Sequence, residues 1–134
     1  MLPRVLVVDD EMELGHVLSD LLELEGCEVA VCSDIASARD KLAGDKFDVA
    51  MLDVYLSESP IGLDLARHIL DECPDTSVIL MTGYADEAEV DAACLNGAYT
   101  CIAKPFSLED VVKVVGMALE RGSAERNSVS AGSG

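Results

Sequence analysis

Four short apolar runs in this chain each end in side chains that can do chemistry. Asp9-Asp10-Glu11 follows Arg4–Val8, Asp53 follows Asp48–Leu52, Thr82-Gly83 follows Ser77–Met81, and Lys104-Pro105 follows Ala98–Ile102. Three carboxylates brought close together repel one another at neutral pH and call for a cation or a proton. Oxygen donors with open positions suit Mg²⁺, which keeps waters and shares phosphate oxygens. An ammonium and a hydroxyl beside such a centre can hold phosphoryl oxygens while a carboxylate acts as nucleophile. Any one of these aspartates could merely cap a helix. All of them in register at the ends of strands are better read as a site.

Elements that bring them together are legible in the hydropathy. The four runs and Glu28–Cys32 are short and rich in β-branched residues. Between them lie stretches of helical period, at Glu13–Glu25, Ile35–Ala43, Leu63–Asp71, Glu87–Leu95 and Leu108–Glu120. Leu14, Val17, Leu18, Leu21 and Leu22 keep the i, i+3, i+4, i+7 spacing, as do Leu108, Val111, Val112, Val115 and Leu119. Ser33-Asp34 and Ser107-x-x-Asp110 supply N-terminal caps, while Gly26, Gly44 and Gly97 stand where helices stop. Five βα repeats predict an α/β fold, a five-stranded parallel sheet with five helices, doubly wound. Every strand's C-terminal end then lies along one edge, where ligands bind near the switch point.

The 134 residues fit one domain, read as 1–122, followed by a polar segment, 123–134, expected to be a flexible tail. A formal net charge of −17 argues against direct binding of nucleic acid or anionic membrane. Met1-Leu2-Pro3-Arg4 lacks the layout of a signal peptide, and no apolar run is long enough to span a bilayer. Five cysteines without a C-x-x-C pair suit a reduced, cytoplasmic setting and read as free thiols.

Over about residues 4–120 the chain resembles the receiver domains of bacterial two-component response regulators, with their flavodoxin-like fold. The resemblance is carried by Val-Val-Asp9-Asp10-Glu11, Met-Leu-Asp53-Val, Met-Thr82-Gly83-Tyr84 and Gly97-Ala98-x-x-x-Ile-Ala-Lys104-Pro105-Phe106. It implies that Asp53 accepts a phosphoryl group from a phosphohistidine on a sensor histidine kinase or histidine phosphotransfer protein. Asp10 would bind Mg²⁺ directly and Asp9 through water, with Asp53 and the main-chain carbonyl of Tyr55 completing the set. Lys104 would contact the phosphoryl group, Thr82 would hydrogen-bond it, and Pro105 would follow Lys104 through a cis bond. Such a module is not an enzyme in the usual sense; it catalyses its own phosphorylation and dephosphorylation. It would serve as a switch or relay, with a downstream protein partner or a homodimer as further partners and no DNA-binding output domain on this chain.

The sequence departs from that pattern in three places. Many receivers carry an aromatic residue three positions before the lysine; here it is Cys101, so signal transfer through that face is expected either to be weaker or to use Tyr99 or Tyr84 instead. The loop after Asp53 lacks the usual proline, having Ser57 there, and its glycine, Gly62, comes one residue late, as in receivers fused to hybrid histidine kinases. In receivers the positions held here by Tyr55 and Tyr84 flank the path of the hydrolytic water, so the resemblance implies that two rings there could shield an acyl phosphate. His16 and His68 read as solvated, Met12, Met51, Met81 and Met117 as core or near-core filler, and the acidic run Asp86–Asp91 as the first turn of a helix.

Rival readings are weaker. A Mg²⁺-dependent phosphatase of the haloacid-dehalogenase type needs a second Asp where Tyr55 stands. A flavodoxin-like cofactor binder would not place Asp9-Asp10-Glu11 against a phosphate. A non-phosphorylated interaction domain leaves the intact site without a purpose. An excised receiver of a hybrid histidine kinase or larger regulator has the same chemistry.

Overall fold

The computed structural model describes residues 2–56, 61–83 and 97–133, with 123–133 given by backbone alone. Five strands, β1 (Arg4–Val8), β2 (Glu28–Cys32), β3 (Val49–Asp53), β4 (Ser77–Thr82) and β5 (Thr100–Ala103), form one sheet. Their order is β2-β1-β3-β4-β5 and every neighbouring pair is parallel. Four helices are described: α1 (Met12–Leu24), α2 (Ile35–Gly44), α3 (Ile61–Glu72) and α4 (Leu108–Ser133). The helix expected over Glu87–Leu95 lies outside the described residues, as do Ser57, Tyr84, Cys94 and the acidic run Asp86–Asp91.

β1 and β3 are apolar on both faces because helices cover both sides of the sheet. Alternate residues go to opposite layers. Leu6 and Val8 pack with Leu52, Leu65, Ile69 and Leu80. Val5 and Val7 pack with Leu18, Leu22, Met51, Val111 and Val115. Each such side chain contributes roughly 1.5–3 kcal/mol through removal from water. Gly15 lets α1 press onto β2, since a Cβ there would come within 2.7 Å of Val31.

The caps form as the sequence predicts. Asp34 accepts the amide hydrogen bond of Ser37 at 2.7 Å. Ser107 and Asp110 cap each other's amides, at 3.1 and 3.4 Å. Gly26 and Gly97 hold φ of 90° and 121°, a region unfavourable to other residues.

By backbone, α4 continues to Ser133 through the segment expected to be a tail, which no proline interrupts. Two expectations are corrected. Met12, Val17 and Met117 are 45%, 46% and 49% exposed, because a helix lying on a sheet buries a narrower stripe than the full apolar period suggests. His68 is half-buried, while His16 is exposed as expected.

The chain leaves β1 for the edge strand β2 and then returns past β1 to β3. A crevice therefore opens between the C-terminal ends of β1 and β3.

Candidate functional site

Asp9 follows β1 directly and is wholly buried. Its amide donates to the Cys32 carbonyl at 3.0 Å, extending the sheet by one residue. One carboxylate oxygen accepts from the Glu11 amide at 2.9 Å and the other from Lys104 Nζ at 2.8 Å. Asp10, next along the chain, is exposed.

Asp53 is the last residue of β3 and is 5% exposed. Its Oδ1 accepts from the Tyr55 amide at 3.0 Å, and its Oδ2 from Lys104 Nζ at 3.1 Å. The backbone beyond it is clamped: the Val54 amide donates to Met81, and the Gly62 amide to Val54. At Gly62 a Cβ would overlap the Asp53 main-chain carbonyl, so only glycine lets α3 begin this close to the strand end.

Thr82 ends β4 and is 9% exposed. Its carbonyl accepts from the Lys104 amide at 2.8 Å, tying the loop after β5 to the same edge. The Lys104–Pro105 peptide is cis, as the resemblance implied.

Lys104 Nζ thus sits between two buried carboxylates, with Glu11 Oε1 a third at 3.7 Å. Burial pushes the Asp53 carboxyl above its usual value; Lys104 pulls it back, Asp9 pushes it further up, and the Tyr55 amide lowers it, with a net rise. Burial by itself would lower the Lys104 ammonium, but its bonds to Asp9 and Asp53 outweigh that and raise it. The two rises differ in origin: burial leads for Asp53, and pairing with two carboxylates leads for Lys104.

Carboxylate oxygens of Asp9, Asp10 and Asp53 all lie within 4.8 Å of one another. This is a hard-oxygen set with an excess of negative charge, and it fits a divalent ion of the Mg²⁺ kind.

Asp9, Asp10, Asp53, Thr82 and Lys104 converge on the one edge as the strand order predicts. Tyr55 is half-buried against the core layer of α2 and α3, beside Asp53. Cys101 packs half-buried into that same layer. Tyr99 packs into the opposite layer, with its ring under the Arg121 guanidinium, 5.1 Å away. Tyr99 precedes β5, so strand alternation does not bring it to the face of Cys101. Tyr84 lies outside the described residues. Cys27 and Cys32 are buried thiols that burial pushes up, in keeping with inert filler.

Two contributors were missed in the sequence: Glu11 as a third partner of Lys104, and Gly62 as the close-approach point behind Asp53. A lone glycine at the start of a helical stretch was the available signal for the second.

The family model described as the response regulator receiver domain matches residues 5–116. The chain is 37% identical over 121 residues to the C4-dicarboxylate transport transcriptional regulatory protein DctD of Rhizobium meliloti, covering 89% of this chain and 26% of that protein. It is 32% identical over 117 residues to the nitrogen assimilation regulatory protein NtrX of Azorhizobium caulinodans, covering 87% of this chain and 26% of that one. The chain thus spans about a quarter of the length of these relatives. Among solved structures it resembles a CheY-like receiver domain protein of Methanospirillum hungatei, with a TM-score of 0.87 at 28% identity over 93% of this chain and 99% of that one. The receiver domain of NtrX from Brucella abortus matches with a TM-score of 0.80 at 31% identity, over 87% and 98%.

Proposed function

The chain belongs to the response regulator receiver family, and from that premise we propose that it is a phosphoacceptor module whose acceptor is Asp53. The observation that carries this reading is the Asp9–Lys104–Asp53 contact, in which a buried nucleophile is paired to the ammonium that must later meet the incoming anion. An Asp53 oxygen attacks phosphorus, the bond from phosphorus to the donor's imidazole nitrogen breaks, and the nitrogen keeps the electron pair. The Tyr55 amide fixes one Asp53 oxygen and so aims the carboxylate. Lys104 neutralises charge on the phosphoryl oxygens, and the Thr82 hydroxyl donates to one of them. Asp9, Asp10, Asp53 and the main-chain carbonyl of Tyr55 would hold Mg²⁺, which when bound supplies charge neutralisation for two anions meeting.

The donor is a phosphohistidine on a sensor kinase or phosphotransfer protein. The strong acidity of the chain favours output through a protein partner rather than direct contact with nucleic acid. Among the described residues no helix is long and apolar enough to cross a membrane, in keeping with a cytoplasmic module. A second reading makes the chain the phosphoacceptor part of a longer regulator, favoured by its covering 26% of DctD and NtrX.

The test is transfer from a phosphorylated histidine phosphotransfer protein in Mg²⁺. Radiolabel should move to the wild-type chain and not to Asp53→Asn. Equal labelling of both would place the acceptor elsewhere and overturn the proposal.

A further inference from the structure

At the sheet edge opposite the carboxylate crevice, a cleft of about 370 Å³ opens between the ends of α2 and α3. That volume falls in the range of small-molecule sites, roughly 300–1,000 Å³. Its floor is apolar and fixed: Phe47 is 5% exposed, and the buried Thr76 hydroxyl is spent on the Phe47 carbonyl at 2.7 Å. Leu42, Ala43, Cys73 and Pro74 add to the apolar lining.

The rim is acidic in a way that folding does not require. α3 ends in Asp71-Glu72 and has no basic residue in its last turn. Helix C-termini carry partial negative charge and favour cations, so this is the wrong sign for stability. Glu72 and Asp75 are both exposed at the cleft and make no ion pair or hydrogen bond among the described residues. Asp45, at the end of α2, is already engaged by Arg4 at 3.3 Å, and that guanidinium is held 5.0 Å from the Phe47 ring. Lys46 is the remaining cation of the lining, and it offsets one of the two free carboxylates. An apolar floor thus meets two helix C-termini and a balance of one negative charge.

We propose that this cleft binds a small organic monocation, an ammonium or guanidinium head on an apolar, ring-sized body. The body lies on Phe47, Leu42 and Pro74; the head lies between Glu72, Asp75 and the helix ends. Among the described residues the group of three or more side chains close enough to share a metal is Asp9, Asp10 and Asp53, away from this cleft. The proposal is independent of the phosphoryl chemistry.

The test titrates the whole isotope-labelled chain with tryptamine and with indole-3-propionate, which has a similar body and the opposite charge, both in excess Mg²⁺ so that the crevice carboxylates are engaged. Amides of residues 42–47 and 72–76 should shift saturably with the amine, at least tenfold more tightly than with the acid, and less tightly as salt is raised. Glu72→Gln with Asp75→Asn should weaken amine binding at least fivefold. Glu72→Lys, which puts a cation at the helix end, should abolish it while leaving the melting temperature unchanged or higher, separating loss of the site from loss of the fold. Equal affinity for amine and acid, shifts centred on residues 9, 10 and 53, or unchanged binding in the double variant would each overturn the proposal.

Discussion

Replacing Asp53 by Asn removes one of the anions that crowd Lys104, and its effect on stability can be worked from the distances. At an effective dielectric of about 20, a unit pair 3.1 Å apart, as Lys104 and Asp53 are, attracts by about 5 kcal/mol. Asp9 and Asp10 oxygens within 4.8 Å of Asp53 each oppose it by about 3.5 kcal/mol on the same scale. Repulsion exceeds attraction by about 2 kcal/mol; solvent screening of exposed Asp10 reduces that, and relief of the buried charge restores it. The variant should therefore be more stable than wild type by about 1–3 kcal/mol in EDTA, measured by urea denaturation at pH 7. The sign with pH follows from the raised Asp53 value: the folded state holds this proton better than the unfolded chain, so wild type gains relative stability as pH falls through that value. The advantage of Asn should shrink toward pH 3.8, the unfolded reference. Mg²⁺ should also shrink it, because an ion binding the folded wild type stabilises it by mass action. Destabilisation of Asp53→Asn in EDTA by more than about 1 kcal/mol would mean that the Lys104 attraction dominates, and would refute the reasoning that the crevice is short of positive charge.

Gly62→Ala should cost about 1–3 kcal/mol by thermal denaturation and slow phosphorylation besides, since the Cβ must displace either the start of α3 or the Asp53 carbonyl; unchanged labelling kinetics would remove the glycine from the site. The raised Lys104 value makes its stabilising contribution fully present below pH 10.5 and lost as pH rises through its folded value, so the stability gap between wild type and Lys104→Met should narrow in strong alkali and hold constant from pH 7 to 10. With Cys101 where an aromatic would swing and Tyr99 on the other layer, a phosphoryl mimic should shift amides of residues 98–106 only slightly; large shifts confined to that segment would contradict this. Ser107→Ala should cost about 1 kcal/mol by urea denaturation, through loss of the hydroxyl that accepts from the Asp110 amide.

Much of the site was legible because polar residues ending apolar runs carry their own address: β1 and β2 run over the predicted residues, and strand order then dictates which ends meet. The apolar run stops at Leu52, but β3 runs on through Asp53, paired with Met81, because backbone ladders do not stop where hydropathy does. β5 starts at Thr100 rather than Ala98, which puts Tyr99 before the strand and on the layer opposite Cys101. Helix periodicity overstated burial at Met12, Val17 and Met117, since the sheet offers each helix a single flat face. Gly62 and Glu11 were not assigned roles, for a backbone close approach and a distant ion pair leave no periodic trace.

Where a phosphoryl group goes decides whether Asp53 is the acceptor. Incubation with acetyl phosphate and Mg²⁺, followed by intact-mass measurement and peptide mapping, should show one added phosphoryl group located on Asp53, absent in Asp53→Asn and absent in EDTA. A group found on any other residue, or no labelling from acetyl phosphate or any phosphohistidine donor, would contradict it.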